Sequence, residues 1–184
     1  MWHWLFVGPW LVFGGWWLFR ARGNAEVARA ESLGSRLSYW LTLIVAALIL
    51  TFGPRVWPHR LWHGSFIRAV AMLALEVAGI AFAIWAREHL GALWSGRVTL
   101  KEDHRIIKSG PYGIVRHPIY TGIFFGLLAV VIVRGEITGF IGLALFLAGI
   151  ARKIQMEERL LVEHFGDEYR QYRKEVRALI PFVV

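Results

Sequence analysis

The chain has 184 residues, of which 57% are hydrophobic and 18% are charged, and a water-soluble core of this size could not bury so much apolar surface. It contains no cysteine, which excludes disulfides, thiolate metal sites and cysteine nucleophiles. The excess of 21 Lys and Arg over 13 Asp and Glu could suit nucleic acid, but the positions of the basic residues indicate membrane topology and no nucleic-acid partner.

Five long apolar blocks, separated by charged segments, predict an all-α integral membrane protein of about five transmembrane helices. The blocks run Met1 to Phe19, Leu37 to Phe52, Phe66 to Ala86, Ile119 to Val133 and Ile137 to Ile150. The first and third are long enough for a hydrocarbon core of ~30 Å at ~1.5 Å per residue, whereas the last two need flanking residues or a tilt. The first block lacks the basic start of a signal peptide, so we interpret it as a membrane helix. Together the five blocks predict a single membrane domain over residues 1–184.

The charged connections sort onto the two sides of the membrane. If successive connections alternate in side, seventeen of the 21 Lys and Arg fall on one side, in segments 20–36, 87–118 and 151–184. Since loops rich in Lys and Arg stay in the cytoplasm, we expect the N-terminus outside and the C-terminus inside.

Glu76 lies near the middle of the third block, where an ionisable side chain is costly and is a functional candidate by default. It could line a path for a lipid substrate or meet a polar partner from another helix. Of these two, we favour an interhelical hydrogen bond.

The fourth and fifth blocks are joined by Arg134-Gly135-Glu136, which is long enough only for a tight helical hairpin. Gly122 and Gly126 stand four residues apart in the fourth block. Small residues at this spacing let two helices approach closely, so we expect them to pack.

The stretch after the fifth block has the period of an amphipathic helix. Its apolar residues recur at intervals of three or four: Leu161, Phe165, Tyr169, Tyr172 and Val176. We expect this helix to lie against the inner membrane face or the protein, interrupted at Gly166, with its basic residues available to water and anionic headgroups. Those basic residues are Arg159, Arg170, Arg173, Lys174 and Arg177.

The segment HRIIKSGPYGIVRHPIYTG, from His104 to Gly122, concentrates residues that could carry chemistry. Gly110-Pro111 marks a turn, and Pro118 suits the first turn of the fourth helix. The candidates are His104, Tyr112, Arg116, His117 and Tyr120. Each alone could be an interfacial residue, but the cluster favours a site. Ligand spacings typical of a metal site are absent, as are glycine-rich phosphate loops and dinucleotide fingerprints.

In order and spacing, the C-terminal half resembles the isoprenylcysteine carboxyl methyltransferase family and the related membrane phospholipid methyltransferases. The matching residues are His104, Gly110, Pro111, Tyr112, Arg116, His117, Pro118, Tyr120, Gly122, Glu157, Glu158, Leu161, Phe165, Gly166, Tyr169, Tyr172, Val176 and Pro181. The resemblance implies that residues 101–184 form the cofactor-binding and catalytic half of an S-adenosylmethionine-dependent enzyme without a Rossmann domain. Residues 1–100, the N-terminal transmembrane helices and their connection, resemble the family only in being transmembrane.

The resemblance also implies roles for the matching residues. The cofactor-pocket candidates are His104, Gly110, Tyr112, His117, Pro118 and Tyr120. The catalytic candidates, as the polar residues nearest the transfer, are Arg116, Glu157 and Glu158. A carboxylate acceptor is already ionised at neutral pH and needs no general base. An amine acceptor would need one, for which Glu158 and His117 are the candidates.

The leading hypothesis is a membrane enzyme that transfers a methyl group from S-adenosylmethionine to a lipophilic acceptor from the bilayer, with S-adenosylhomocysteine as product. A prenylcysteine carboxylate, a phospholipid amine and a smaller lipophilic carboxylate or thiol are all open as acceptors. The C-terminal half is also similar to NADPH-dependent membrane sterol reductases. Those enzymes have Arg-His-x-Asn-Tyr at the position of Arg116 to Tyr120, and the Pro and missing Asn here favour the methyltransferase. A non-catalytic membrane scaffold or small transporter is the third hypothesis.

Overall fold

A computed structural model describes residues 2–20, 27–30, 32–94, 99–101 and 105–180. Within these ranges the α-helices are α1 Gly8–Arg20, α2 Leu33–Val56, α3 Phe66–Leu90, α4 Pro118–Arg134, α5 Ile137–Phe165 and α6 Asp167–Glu175. Three short 3-10 helices cover Trp2–Phe6, Gly91–Leu93 and Gly110–Gly113. Strands β1 Val27–Ala30 and β2 Thr99–Lys101 pair as a small antiparallel ribbon. The predicted all-helical architecture is confirmed, with this ribbon as an addition.

Three segments are long and apolar enough to cross a bilayer: Leu33–Val56, Phe66–Leu93 and Ile137–Phe165. The shorter apolar helix α4 has 17 residues. Large apolar side chains face outward from the bundle, among them Leu41 with 59% and Ile67 with 81% of its surface exposed. Lipid is the solvent that suits such a surface. The chain is therefore an integral, multi-pass membrane protein.

The first apolar block forms a shorter α-helix than its length suggests. After the 3-10 turn of Trp2–Phe6, α1 begins at Gly8 and has 13 residues. Pro9 explains the late start, because proline lacks an N–H and its ring clashes with the carbonyl four residues earlier in an α-helix. Alone, α1 is about 20 Å long, less than a hydrocarbon core.

Helices α3 and α4 pack at very short range through glycines. A Cβ placed on Gly122 would lie 2.4 Å from the carbonyl oxygen of Gly79 and 2.8 Å from the Cβ of Ala83. A Cβ on Gly126 would lie 2.9 Å from the ring of Trp10 in α1. The packing predicted for Gly122 and Gly126 is confirmed. Helix α2 packs in turn along α5.

The predicted hairpin between α4 and α5 is present. Gly135 adopts a φ of 66°, a left-handed conformation that glycine reaches without steric cost. The side chain of Glu136 is buried and pairs with Arg60 at 3.2 Å and Arg134 at 3.0 Å. The loop between α2 and α3 therefore fastens the closed end of the hairpin.

Helix α5 continues without a break from the membrane to Phe165. From the sequence, the fifth block ends at Ile150 and a separate amphipathic helix follows. The two join because the backbone hydrogen-bond ladder of a helix does not end where hydropathy falls. The interruption predicted at Gly166 is confirmed, since its φ of 56° ends α5 and α6 starts at the next residue.

Glu76 is fully buried in α3. Within the described part of the chain, neither of its carboxylate oxygens has a hydrogen-bond partner. The interhelical hydrogen bond favoured from the sequence is therefore not seen. Glu76 also lies outside the lining of the cavity described below, because its neighbours Gly79 and Ile80 belong to the face of α3 that packs against other helices.

Candidate active site

The candidate site lies at the start of α4, and the backbone conformations of glycine and proline residues position its side chains. Gly110 has a φ of 59°, and a Cβ there would lie 2.9 Å from the ring of His89, so both conformation and space require glycine. The 3-10 helix that follows buries Pro111 and Tyr112. His117 then caps α4, and Pro118 occupies its first turn, where a missing N–H has no cost.

The described residues that follow α6 run alongside this segment. We call residues 176–180 the strap. Its carbonyl groups accept hydrogen bonds from the backbone N–H of Arg116 (2.8 Å, to Arg177) and of His117 (3.0 Å, to Ala178). The hydroxyl of Thr121 donates to the carbonyl of Leu179 at 2.7 Å. The strap thus holds the start of α4 in the manner of a neighbouring strand.

Arg116 joins α5 to the strap through its guanidinium. Its Nε donates to Oε1 of Glu158 at 2.8 Å, and its Nη2 lies 2.7 Å from the same oxygen. Its Nη1 donates to the carbonyl of Arg173 at 3.1 Å and to that of Val176. The side chains of Arg116 and Glu158 are only 8% and 7% exposed. Each guanidinium nitrogen of this buried ion pair has a partner, and such hydrogen bonds are what offset the desolvation of a buried pair.

Arg173 also belongs to this network. Its Nε lies 3.0 Å from Oε2 of Glu158. The side chain of Arg173 is 47% exposed, so the predicted access to water is confirmed, and its contact with Glu158 is an addition. The other four basic residues of the predicted set are exposed as well: Arg159, Arg170, Lys174 and Arg177.

His117 lies between the two glutamates. Its Nε2 is 3.1 Å from Oε1 of Glu158, and its Nδ1 is 3.5 Å from Oε2 of Glu157. Burial alone would lower the pKa of the imidazole, but the hydrogen bonds to Glu157 and Glu158 outweigh burial and raise it above its usual value. Because both ring nitrogens face carboxylates, the protonated form can donate to each.

Glu157 is held from the side opposite His117. The hydroxyl of Tyr120 donates to Oε1 at 2.7 Å, and the ammonium of Lys153 lies 3.9 Å from the same oxygen. Sequence reasoning missed Lys153, although its position four residues before Glu157 on one helix was an available signal.

Tyrosines supply much of the remaining wall. The hydroxyl of Tyr172 donates to the carbonyl of Tyr112 at 2.5 Å. Burial raises the pKa of Tyr112, Tyr169 and Tyr172 well above its usual value, so each phenol is neutral at physiological pH. The predicted apolar stripe of α6 therefore faces the protein, with Tyr169 and Tyr172 both buried.

These elements line an open cavity of about 910 Å³, a volume that includes the solvent at its mouth. Its wall combines apolar and polar side chains: Leu90, Leu93, Trp94, Arg105, Ile106, Ile107, Tyr112, Arg116, His117, Pro118, Ile119, Tyr120, Glu157, Leu160, Leu161, Tyr169 and Tyr172. The arrangement offers a ligand aromatic surfaces beside the hydrogen-bonded group of His117, Glu157 and Glu158, which we call the acid cluster.

The nine predicted site residues fall into four groups. Six line the cavity: Tyr112, Arg116, His117, Pro118, Tyr120 and Glu157. Glu158 lies behind the lining, where it holds Arg116 and His117. Gly110 lies against His89 and shapes the preceding turn rather than the cavity wall. His104 lies outside the described residues.

Comparison with known proteins gives consistent results. A family model described as the isoprenylcysteine carboxyl methyltransferase (ICMT) family matches residues 71–163. A protein-S-isoprenylcysteine O-methyltransferase of Schizosaccharomyces pombe is 37% identical over 121 residues, covering 65% of this chain and 46% of that protein. A probable protein-S-isoprenylcysteine O-methyltransferase of Oryza sativa subsp. indica is 25% identical over 186 residues, covering 98% of this chain and 96% of the rice protein.

One solved structure has the same fold. It is described as the eukaryotic intramembrane Ras methyltransferase ICMT, and it matches with a TM-score of 0.57 and 21% sequence identity. The match covers 79% of this chain and 53% of the solved chain. The present chain thus spans about half the length of the solved protein and of the fission-yeast relative.

Proposed function

Because the chain belongs to the isoprenylcysteine carboxyl methyltransferase family, we propose that it is a membrane-embedded methyltransferase that uses S-adenosylmethionine to methylate an amphiphilic, isoprenylcysteine-type carboxylate. One observation carries the proposal. At the charged end of an apolar bundle, a single cavity joins aromatic walls to the cluster of His117, Tyr120 and Glu157.

The residues of the cavity fit the proposed cofactor. Its sulfonium is a cation, which favours the faces of aromatic rings and a nearby carboxylate. Trp94, Tyr112 and Tyr169 supply rings, and Glu157 supplies the carboxylate. We propose that these residues hold the cofactor with His117 and Tyr120, and that His104, Gly110 and Pro118 contribute as the family resemblance implies. When bound, S-adenosylmethionine supplies an electrophilic methyl group on sulfur.

The state of the acid cluster supports a carboxylate acceptor over an amine. A carboxylate needs no base, whereas an amine must lose a proton. Both ring nitrogens of His117 already face glutamates, whose hydrogen bonds raise its pKa, and Glu158 is bonded to Arg116, Arg173 and His117. Neither is poised to accept a proton from an amine. The chemistry left to the protein is alignment of the reactants and exclusion of water.

Arg116 acts in this proposal as a positioning residue. Its donors are directed to Glu158 and to the carbonyls of Arg173 in α6 and Val176 in the strap. Arg116 therefore fixes the position of the acid cluster relative to α6 and the strap. Glu158 orients His117 in the same way. Glu157, which lines the cavity, is the glutamate we place beside the reacting groups.

We further propose the orientation that the charge distribution predicts, with the N-terminus outside and the C-terminus in the cytoplasm. The cavity lies among the basic segments, where a cytosolic cofactor could enter. An acceptor with an apolar tail would reach it from the bilayer. Residues 1–184 act as one membrane domain in this proposal.

Calorimetry with S-adenosylhomocysteine tests the cofactor. The purified protein in lipid nanodiscs should bind it with a dissociation constant in the micromolar range, which corresponds to about 8 kcal/mol. No binding by protein with an intact thermal transition would refute the proposal. A stabilising thermal shift with NADPH in its place would favour the reductase, and no shift with either ligand would favour the scaffold.

A labelling experiment tests the acceptor. Membranes are incubated with cofactor labelled in its methyl group, and the product is treated with base. A methyl ester of a carboxylate releases its label as volatile methanol, whereas a methylated amine or thioether retains it. Label that survives base would overturn the carboxylate acceptor and leave the methyltransferase assignment standing.

A further inference from the structure

A buried lysine lies directly behind the part of the cavity wall formed by Tyr120 and Glu157. The side chain of Lys153 is 9% exposed, and its ammonium lies 3.9 Å from Oε1 of Glu157. Lys153 belongs to α5 but not to the residues that line the cavity. Its charge therefore acts on the site through its neighbours and not by touching a ligand.

Two aromatic rings hold the ammonium in place. It lies 5.3 Å from the ring centre of Tyr120 and 5.5 Å from that of Tyr39. Both distances are within the range of cation–π attraction, which strengthens when the cation is removed from water. Tyr39 comes from α2 and is fully buried. A residue of the N-terminal half thus takes part in the support of the site.

The contacts on Glu157 explain what this arrangement does. The Tyr120 hydroxyl and the Lys153 ammonium converge on Oε1, while His117 faces Oε2. A glutamate has three rotatable side-chain bonds, and partners on both oxygens restrict it to one orientation.

We propose that Lys153 is a positioning residue of the cofactor site. Its ammonium fixes the Glu157 carboxylate and the Tyr120 ring, and Tyr39 fixes the ammonium. The assignment of this cavity to the cofactor rests on the proposed function. The positioning role of Lys153 is a separate claim from that assignment. It also differs from a purely structural role, because a lysine that only stabilised helix packing would not affect ligand binding through Glu157.

The test measures S-adenosylhomocysteine affinity by calorimetry for variants in nanodiscs. Lys153→Met removes the charge while keeping the length of the side chain, and affinity should fall about tenfold or more, the equivalent of one ionic contact. Lys153→Arg retains the charge and should recover most of that loss. Lys174→Met, which removes an exposed lysine of α6, is the matched control and should bind like wild type.

A double-mutant cycle distinguishes positioning from stability. If Lys153 acts through Glu157, the double variant Lys153→Met/Glu157→Gln should bind no more weakly than Glu157→Gln alone. Additive losses would overturn the proposal, as would wild-type affinity in Lys153→Met. Should Lys153→Met fail to fold, Tyr39→Leu tests the same claim: a loss of at least about threefold in affinity supports it, and unchanged affinity overturns it. Absence of binding by the wild-type protein would instead refute the proposed function.

Discussion

The substitution Arg116→Lys tests the buried network most directly. Lysine keeps the positive charge but replaces a planar fork of donors with a single ammonium. That ammonium can keep one contact with Glu158. It cannot also reach the carbonyls of Arg173 and Val176, which now accept hydrogen bonds from Nη1 of Arg116.

The expected cost follows from these lost contacts. A hydrogen bond from a charged donor contributes about 1.5–3 kcal/mol, so losing two should destabilise the protein by about 3 kcal/mol or more. Solvent screening should reduce this free-energy cost little, because the Arg116 side chain is only 8% exposed. For a chain of this length, about 3 kcal/mol corresponds to a fall in melting temperature of roughly 6–12 °C.

Thermal unfolding in detergent, followed by the fluorescence of the ten Trp residues, measures this change. Arg173→Lys is the control, since Arg173 contacts the same glutamate but its side chain is 47% exposed. Its replacement should cost no more than about 1 kcal/mol, the usual limit for an exposed ion pair. A melting temperature of Arg116→Lys within ~1 °C of wild type would refute the reasoning, because ~1 °C corresponds to well under 1 kcal/mol of unfolding free energy. Equal losses of stability in both variants would refute it as well.

Three further predictions concern packing, the acid cluster and pH. Gly122→Ala should destabilise the protein by about 1–3 kcal/mol, since its Cβ would lie 2.4 Å from a carbonyl oxygen of α3; Gly14→Ala in α1, with no atom within 4 Å, should be neutral or stabilising in the same melt. Tyr120→Phe removes the hydroxyl bonded to Glu157 and should weaken S-adenosylhomocysteine binding about tenfold by calorimetry, and wild-type affinity would contradict the site geometry. The raised pKa of His117 means that its protonated form contributes stability fully below about pH 6.5 and loses that contribution as pH rises through the raised value. Melting temperatures between about pH 6 and 9 should therefore fall more steeply for wild type than for His117→Gln, and parallel curves would refute the assigned charge.

Several features of this protein depend on residues close together in the sequence, and these could be predicted. The hairpin at Arg134-Gly135-Glu136 and the break at Gly166 depend on local backbone conformation, which residue type largely sets. The helical membrane architecture depends on the length and hydropathy of the blocks. The order of polar residues between Gly110 and Tyr120 carried the family resemblance. Each of these inferences needed only a short window of sequence.

The partners within the site could not be predicted in the same way. The contact of exposed Arg173 with Glu158 was not predicted, and Lys153 and Tyr39 were not identified, yet all three support the acid cluster. Glu76 was expected to meet a polar partner, and the described residues supply none. Charge and hydropathy indicate which residues need partners but do not specify which helix will provide them.

The sequence by itself therefore determined that this is a helical membrane protein with a candidate site at one charged end. Only the tertiary structure decided that α2 packs on α5 and α3 on α4, that α6 and the strap fold back over the start of α4, and that Glu157 and Glu158 have separate sets of partners. The physical reason is that hydropathy and turn preferences act over a few residues. Ion pairs between residues some 40 or more positions apart form only after helix packing has fixed the distances between their side chains.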